Sequence, residues 1–352
     1  MRLHVFERSA FALAAIFGFG MALAMSLAEA RGKPPPPPPP PPATPPGRAW
    51  HGFTGNGAVA PGDSRLYLYG GADSQPKALA DLWYYMAYTG SWTLVTPNGS
   101  AKPGPRQWHG WSCGGGACLL ADGSNGVGLV NETWYYAQAA NAWTQVSCQR
   151  SACPSARQMV TSAYDPAGVH LLFGGRGSNA GLDDTWTFSP KTMTWKLQAR
   201  QAAWPQERNR AGAASVPGFG IVLLGGQTYK GTAVLCDMFV WRNNGWVTMD
   251  SAGAPCLHSH SMAWDDRNQR LVVTGGYIDT SDTKNALTYY LPFTNGVAGQ
   301  WSTDKDLSGC FASVHPGARM AFDAPTGRKV FFGGETNVNG SIVRYGDTTV
   351  CD

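Results

Sequence analysis

Four arginines recur at matching places along the chain: Arg48, Arg106, Arg157 and Arg208. Trp50 and Trp108 each stand two residues after one of them, and Trp111 lies close by. Guanidinium groups gathered at one opening would receive carboxylates or acidic sugars, because their planar fork matches two oxygens at once. Tryptophans beside them would suit stacking on sugar rings. The same arginines can instead pair with acidic residues of neighbouring turns, which would make them framework. Arg48, Arg106, Arg157, Arg208, Trp50 and Trp108 are therefore the candidate ligand-binding residues.

The histidines offer a second chemistry. His51, His109 and His260 occupy equivalent places, which favours a structural role. His258-Ser259-His260 is the weak metal candidate, since alternate residues of a strand face the same side and both rings would reach one ion. Asp265 and Asp266 follow beyond an expected turn. The chain has no CxxC pair, Gly-x-Ser-x-Gly, HExxH, P-loop or dinucleotide fingerprint, so no cofactor is expected.

The elements that must position these residues are set by a glycine doublet. It recurs at Gly70-Gly71, Gly174-Gly175, Gly225-Gly226, Gly275-Gly276 and Gly333-Gly334, with Asp122-Gly123 in the missing place. The steps of 52, 52, 51, 50 and 58 residues mark a repeat architecture. Each doublet ends a short apolar run such as Leu66–Tyr69 or Ile221–Leu224, which reads as a buried strand. An acidic residue followed by an aromatic comes next, at Asp81-Leu82-Trp83, Glu132-Thr133-Trp134, Asp184-Thr185-Trp186 and Asp237-Met238-Phe239. A later tryptophan follows in five units: Trp92, Trp143, Trp195, Trp246 and Trp301. Asp347-Thr348-Thr349 is a degraded sixth copy, and unit five offers only Leu287–Tyr290 for its third strand. Four short strands per unit, repeated radially, predict an all-β propeller of six blades.

This combination resembles the kelch repeat, over residues 48–352. The resemblance implies a six-bladed kelch-type β-propeller, its last blade either incomplete at three strands or poorly completed by residues 43–49, and it says little about activity, because one fold hosts many functions. Two enzyme families of similar fold set alternatives. Copper-radical oxidases like galactose oxidase need a tyrosine cross-linked to a cysteine. Exported sialic-acid mutarotases need a carboxylate and an arginine near the channel, which Glu207-Arg208, Arg210 or Glu335 would supply.

The ends of the chain point to export. Residues 1–30 read as a secretory signal: basic Arg2 and Arg8, an apolar stretch from Ala10 to Leu27, then Ala28-Glu29-Ala30. Retained, the same segment would be a membrane anchor. Residues 31–47 form a linker with nine consecutive prolines, Pro34 to Pro42, expected as a stiff polyproline spacer. Eight cysteines suit an oxidising compartment. Spacing suggests Cys113–Cys118, Cys148–Cys153, Cys236–Cys256 and Cys310–Cys351, the last fastening a final blade that lacks its closing strand. Asn98, Asn131 and Asn339 are N-glycosylation candidates. The net charge of +4 is too small and dispersed for nucleic acid. The expected product is a secreted or cell-surface module (periplasmic in a bacterium) that binds a protein or glycan on a loop face, within an extracellular assembly or alone.

Overall fold

The computed structural model describes residues 44–55, 64–148, 152–304 and 315–352. The segment expected as an export signal, the proline run and Cys310 lie outside the described residues. Each repeat unit forms an antiparallel sheet whose strands pair in chain order. The innermost strands are Gly52–Gly55, Gly110–Gly114, Thr161–Asp165, Gly212–Val216, Ser261–Asp265 and Arg319–Asp323. Each touches the next, and Arg319–Asp323 touches Gly52–Gly55, so the six sheets close into a ring. The fold is a six-bladed β-propeller.

The apolar runs before the doublets become the second strands, and alternation explains their continuous hydrophobicity. Leu66 and Leu68 pack with Val330 and Phe332 of blade six, whereas Tyr67 and Tyr69 pack with Leu120 and Trp134 of blade two. Successive side chains thus enter two different cores, one on each face of the sheet. All six cores are such layers between neighbouring blades. The late tryptophans lock the layers from outside. Trp195 Nε1 donates to Thr133 Oγ1 of blade two at 3.0 Å, and Trp246 Nε1 donates to Thr185 Oγ1 of blade three at 2.8 Å.

The doublet serves close approach. At Gly71 φ is +96°, and a Cβ there would stand 2.8 Å from the Ala49 carbonyl oxygen. The N–H of the doublet's second glycine donates to the first residue of the next blade's lead-in: Gly71 to Arg106 O, Gly123 to Arg157 O, Gly175 to Arg208 O and Gly226 to Leu257 O, at 2.8–3.0 Å.

Asp122 departs from this pattern at a cost. It holds the left-handed φ of 57° that glycine favours. Its side chain is buried, and Oδ2 finds no hydrogen bond among the described residues. Burial pushes its carboxyl well above the usual range, although Arg157 and Arg106 pull the other way. Asp122→Gly is expected to stabilise the protein at pH 7 by about 1–2 kcal/mol, since it removes a buried unsatisfied group and a strained backbone. A raised folded pKa means the penalty grows as pH rises past about 4. Denaturant titrations of both proteins should show a larger gain at pH 7 than at pH 3.5, where the backbone contribution remains.

Among the described residues, the ring closes without a strand from the N-terminal lead-in. Blade six has three strands among the described residues, Arg319–Asp323, Arg328–Phe332 and Thr348–Cys351, and an added hairpin, Glu335–Val338 with Ser341–Arg344. Ala49 bridges Ala72 of blade one rather than blade six. Closure uses the bonds that join the other blades: Gly334 N–H donates to Arg48 O at 2.9 Å, and Trp92 Nε1 donates to Thr348 Oγ1 at 2.8 Å. The degraded sixth motif therefore keeps the one threonine that the closing tryptophan needs. Cys113–Cys118, Cys148–Cys153 and Cys236–Cys256 are disulfides, and Cys351 is also disulfide-bonded.

Candidate functional site

The four repeated arginines are framework. Arg48 Nη1 and Nη2 donate to the two Asp81 carboxylate oxygens at 2.7 Å each. Arg208 does the same with Asp237 at 2.6 and 2.8 Å, and Arg106 donates to Glu132 Oε2 at 2.7 Å. Arg157 grips Asp184 with both nitrogens. Each also donates to the carbonyl of the first residue at its doublet position: Gly70, Asp122, Gly174 and Gly225. The carboxylate accepts once more from the aromatic two residues on, through Trp83, Trp134 and Trp186 Nε1. In blade four, where Phe239 replaces the tryptophan, Arg208 lies 5.5 Å from the ring centroid instead. Arginine, doublet and acidic-aromatic pair thus form one hydrogen-bonded cluster within each of these blades. The expectation of free guanidiniums around an opening is corrected: these four side chains are buried and do not line the channel.

The channel is framed by other positions. Where each inner strand begins, one residue adopts a left-handed conformation: Trp50 (φ 61°), Trp108 (54°), Met159 (56°), Arg210 (58°), Ser259 (58°) and Gly317 (76°). Such a φ is strained for bulky residues. A run of four backbone bonds joins five of these positions: Trp108 N–H to Trp50 O, Met159 to Trp108, Arg210 to Met159 and Ser259 to Arg210, at 2.7–3.0 Å. The backbone is fixed and the side chains vary, which is how a rigid scaffold presents recognition groups. Trp50, Trp108, Met159 and Arg210 line a cavity of about 650 Å³ that follows the inner strands. Trp50 packs on Gly317, and its ring lies 6.2 Å from that of Trp108.

Outside this ring, between blades three, four and five, a polar cleft of about 350 Å³ shares Met159 and Arg210 with the channel. Arg176 and Lys230 add positive charge to it, Asn209, Gln227 and Thr280 add hydrogen-bonding groups, and Asp282 is its carboxylate among the described residues. Arg210 Nε is buried without a hydrogen bond among the described residues. Burial lowers the Arg210 pKa, Asp282 and Tyr277 raise it, and the like charge of Arg176 lowers it further.

Residues 36–226, which are 191 of the 352, match the family model described as the KLHDC2/KLHL20/DRC7 Kelch-repeats domain. The chain belongs to the kelch-repeat family. No curated protein matches it. Kelch propellers are commonly protein-interaction modules.

The remaining candidates take ordinary places in the kelch propeller. His51, His109 and His260 fill equivalent spaces against the first doublet glycine of the preceding blade, at Gly333, Gly70 and Gly225. His258 and His260 do not converge as a metal pair would require. Ser259 between them is left-handed, which breaks the alternation of a strand. His258 stacks on Tyr277 and hydrogen-bonds Asp279 O at 3.0 Å, while His260 is buried between blades. Asn131 and Asn339 are exposed. Asn98 is exposed too, but its amide nitrogen donates to Ala140 O at 2.8 Å.

The sequence reading named Arg210 only beside a possible catalytic carboxylate, and it missed Arg176, Lys230 and Arg319. The place of Arg319 shows only once the left-handed ring is known. This arginine follows the left-handed position by two residues, where other blades carry Gly52, Gly110, Thr161, Gly212 and Ser261.

Proposed function

We propose that this kelch propeller is an exported interaction module whose mouth binds an acidic segment of a protein partner. The observation that carries the reading is the gathering of Arg176, Arg210 and Lys230 in one cleft beside the single carboxylate Asp282, among the described residues. Basic groups in excess at a concave site attract anionic partners and speed their encounter. The framework arginines already have carboxylates, so these three remain for recognition. The disulfides support export into an oxidising compartment, either as a free protein or held at a surface by residues 1–30.

The other readings have less support. For sugar stacking, Trp50 and Trp111 are buried, and Trp111 Nε1 donates to Tyr67 O at 3.1 Å, which leaves Trp108 alone of the three part-exposed at the channel. For mutarotase-like chemistry, Glu207 accepts the Tyr229 N–H at 2.9 and 3.0 Å and Glu335 binds Arg344 at 2.8 Å, which ties both carboxylates to neighbours. A copper-radical oxidase needs a cysteine for its cross-link, and no described cysteine is free.

A fluorescent hexaglutamate peptide, followed by anisotropy at low and physiological salt, tests the proposal. Arg176→Glu combined with Lys230→Glu is expected to weaken binding by roughly tenfold or more, and added salt to weaken the unsubstituted protein. Equal binding by both proteins would refute the assignment of the cleft.

A further inference from the structure

Inside the channel, Arg319 differs from every framework arginine. The fold supplies its own controls: Arg48, Arg106, Arg157 and Arg208 each hold a carboxylate within 2.8 Å. Arg319 has none among the described residues. Its Nη1 reaches only the Ser259 and His260 carbonyl oxygens, both at 3.4 Å, too long for firm bonds. Its surroundings add no negative charge. Burial lowers its pKa to about 10, and the nearby charge of Arg210 lowers it as well, with no acid acting in the other direction. His51, His109 and His260 feel its charge and are themselves held neutral, chiefly by burial. The guanidinium is enclosed by the protein, yet its surface still meets the cavity.

A desolvated cation with an empty fork is costly to keep, and the fold does not require it, because Gly52, Gly110 and Gly212 serve at the equivalent positions. The cavity around it has a size suited to small ligands, about 650 Å³. Its walls include Trp108, Met159, Met262, Met320 and Phe322. Arg210 and Asp266 also reach this lining, so with Arg319 the cavity carries a net charge of about +1, which matches one carboxylate on an apolar body better than a dianion such as phosphate.

We infer that the central channel is a binding site for a small organic monocarboxylate, with the carboxylate received bidentately by Arg319 and the apolar body lying along the channel wall. The site adjoins the basic cleft outside the ring, with which it shares Met159 and Arg210, but Arg319 lines the channel and not that cleft.

Calorimetric titration of the whole protein with 3-phenylpropionate tests it, with 3-phenylpropanol and inorganic phosphate as the comparison probes. The acid should bind at least tenfold tighter than the alcohol and than phosphate. Arg319→Met should remove the preference for the acid and raise the melting temperature of the ligand-free protein, because an uncompensated buried charge is gone. Arg319→Lys keeps the charge but not the fork, and should lose most of the preference if Arg319→Met fails to fold. Lys230→Glu should leave acid binding unchanged, so failure of the channel site and failure of the outer cleft give different results. The inference is overturned by no measurable acid binding, by equal binding of acid and alcohol, by phosphate binding as tightly as the acid, or by an Arg319 variant that binds the acid like the parent.

Discussion

Arg157→Met is expected to destabilise the propeller by about 3–5 kcal/mol, the usual cost of removing one partner from a buried ion pair. The Arg157 side chain is fully buried, and Asp184, its partner, is 29 % exposed. Besides gripping Asp184, the guanidinium donates to Gly174 O at 3.1 Å and to Ser155 O at 2.9 Å. Its loss leaves the Asp184 carboxylate with Trp186 as its remaining side-chain donor and leaves the Gly174 carbonyl unpaired at the point where two blades meet. Arg200→Met is the control. Arg200 also pairs with an aspartate, Asp183, but it is 61 % exposed, and such pairs contribute about 0–1 kcal/mol. Denaturant midpoints should therefore separate the two variants widely. Similar losses would mean that the repeated arginines are not framework. Burial raises the Asp184 carboxyl, but the bonds and charge of Arg157 with the Trp186 bond outweigh it, for a net depression. The stability from this pair is thus present above about pH 4 and lost as pH falls through the depressed folded pKa.

A second large effect begins at milder acidity. His51, His109, His170 and His260 are buried and kept neutral mainly by desolvation, the last three with pKa values lowered to about 3. In the unfolded chain they take up protons near pH 6.5, so the unfolded state binds more protons below that point. Stability then falls as pH decreases, with a limiting slope of about 5 kcal/mol per pH unit for four protons. Urea midpoints measured from pH 7.5 to pH 5 should decline from about pH 6.5, above the range where carboxylates titrate. A flat profile down to pH 5 would show that these rings ionise without penalty.

The repeat was legible because every unit meets the same surroundings on both sides, so the same residues return in phase. Glycine doublets, apolar runs and tryptophans led directly to six blades. What Arg48 faces was not legible: the same residue serves an open ring or a pair with Asp81, 33 positions away, and only packing decides. Closure depended on Trp92 and Thr348, which are 256 residues apart, and the threonine sits in the motif copy that looked degraded. The left-handed ring was hidden because Trp50, Trp108, Met159 and Arg210 carry no local sign of positive φ. The same hidden turn at Ser259 separated His258 from His260. Arg319 was overlooked because its unit lacks a leading arginine to align it, having His315-Pro316-Gly317-Ala318 instead. Departures from the repeat, rather than the repeat, gather at the channel and its mouth.

Hydrogen exchange with and without saturating hexaglutamate peptide tests the central claim most directly, that binding uses the mouth residues the repeat does not explain. The account predicts new protection in the segments carrying Arg176, Asn209-Arg210, Gln227 to Gly231 and Thr280 to Asp282, with the outer strands Ser91–Leu94 and Ala142–Val146 unchanged. Protection confined to the outer strands, or to the opposite end of the inner strands, would contradict it.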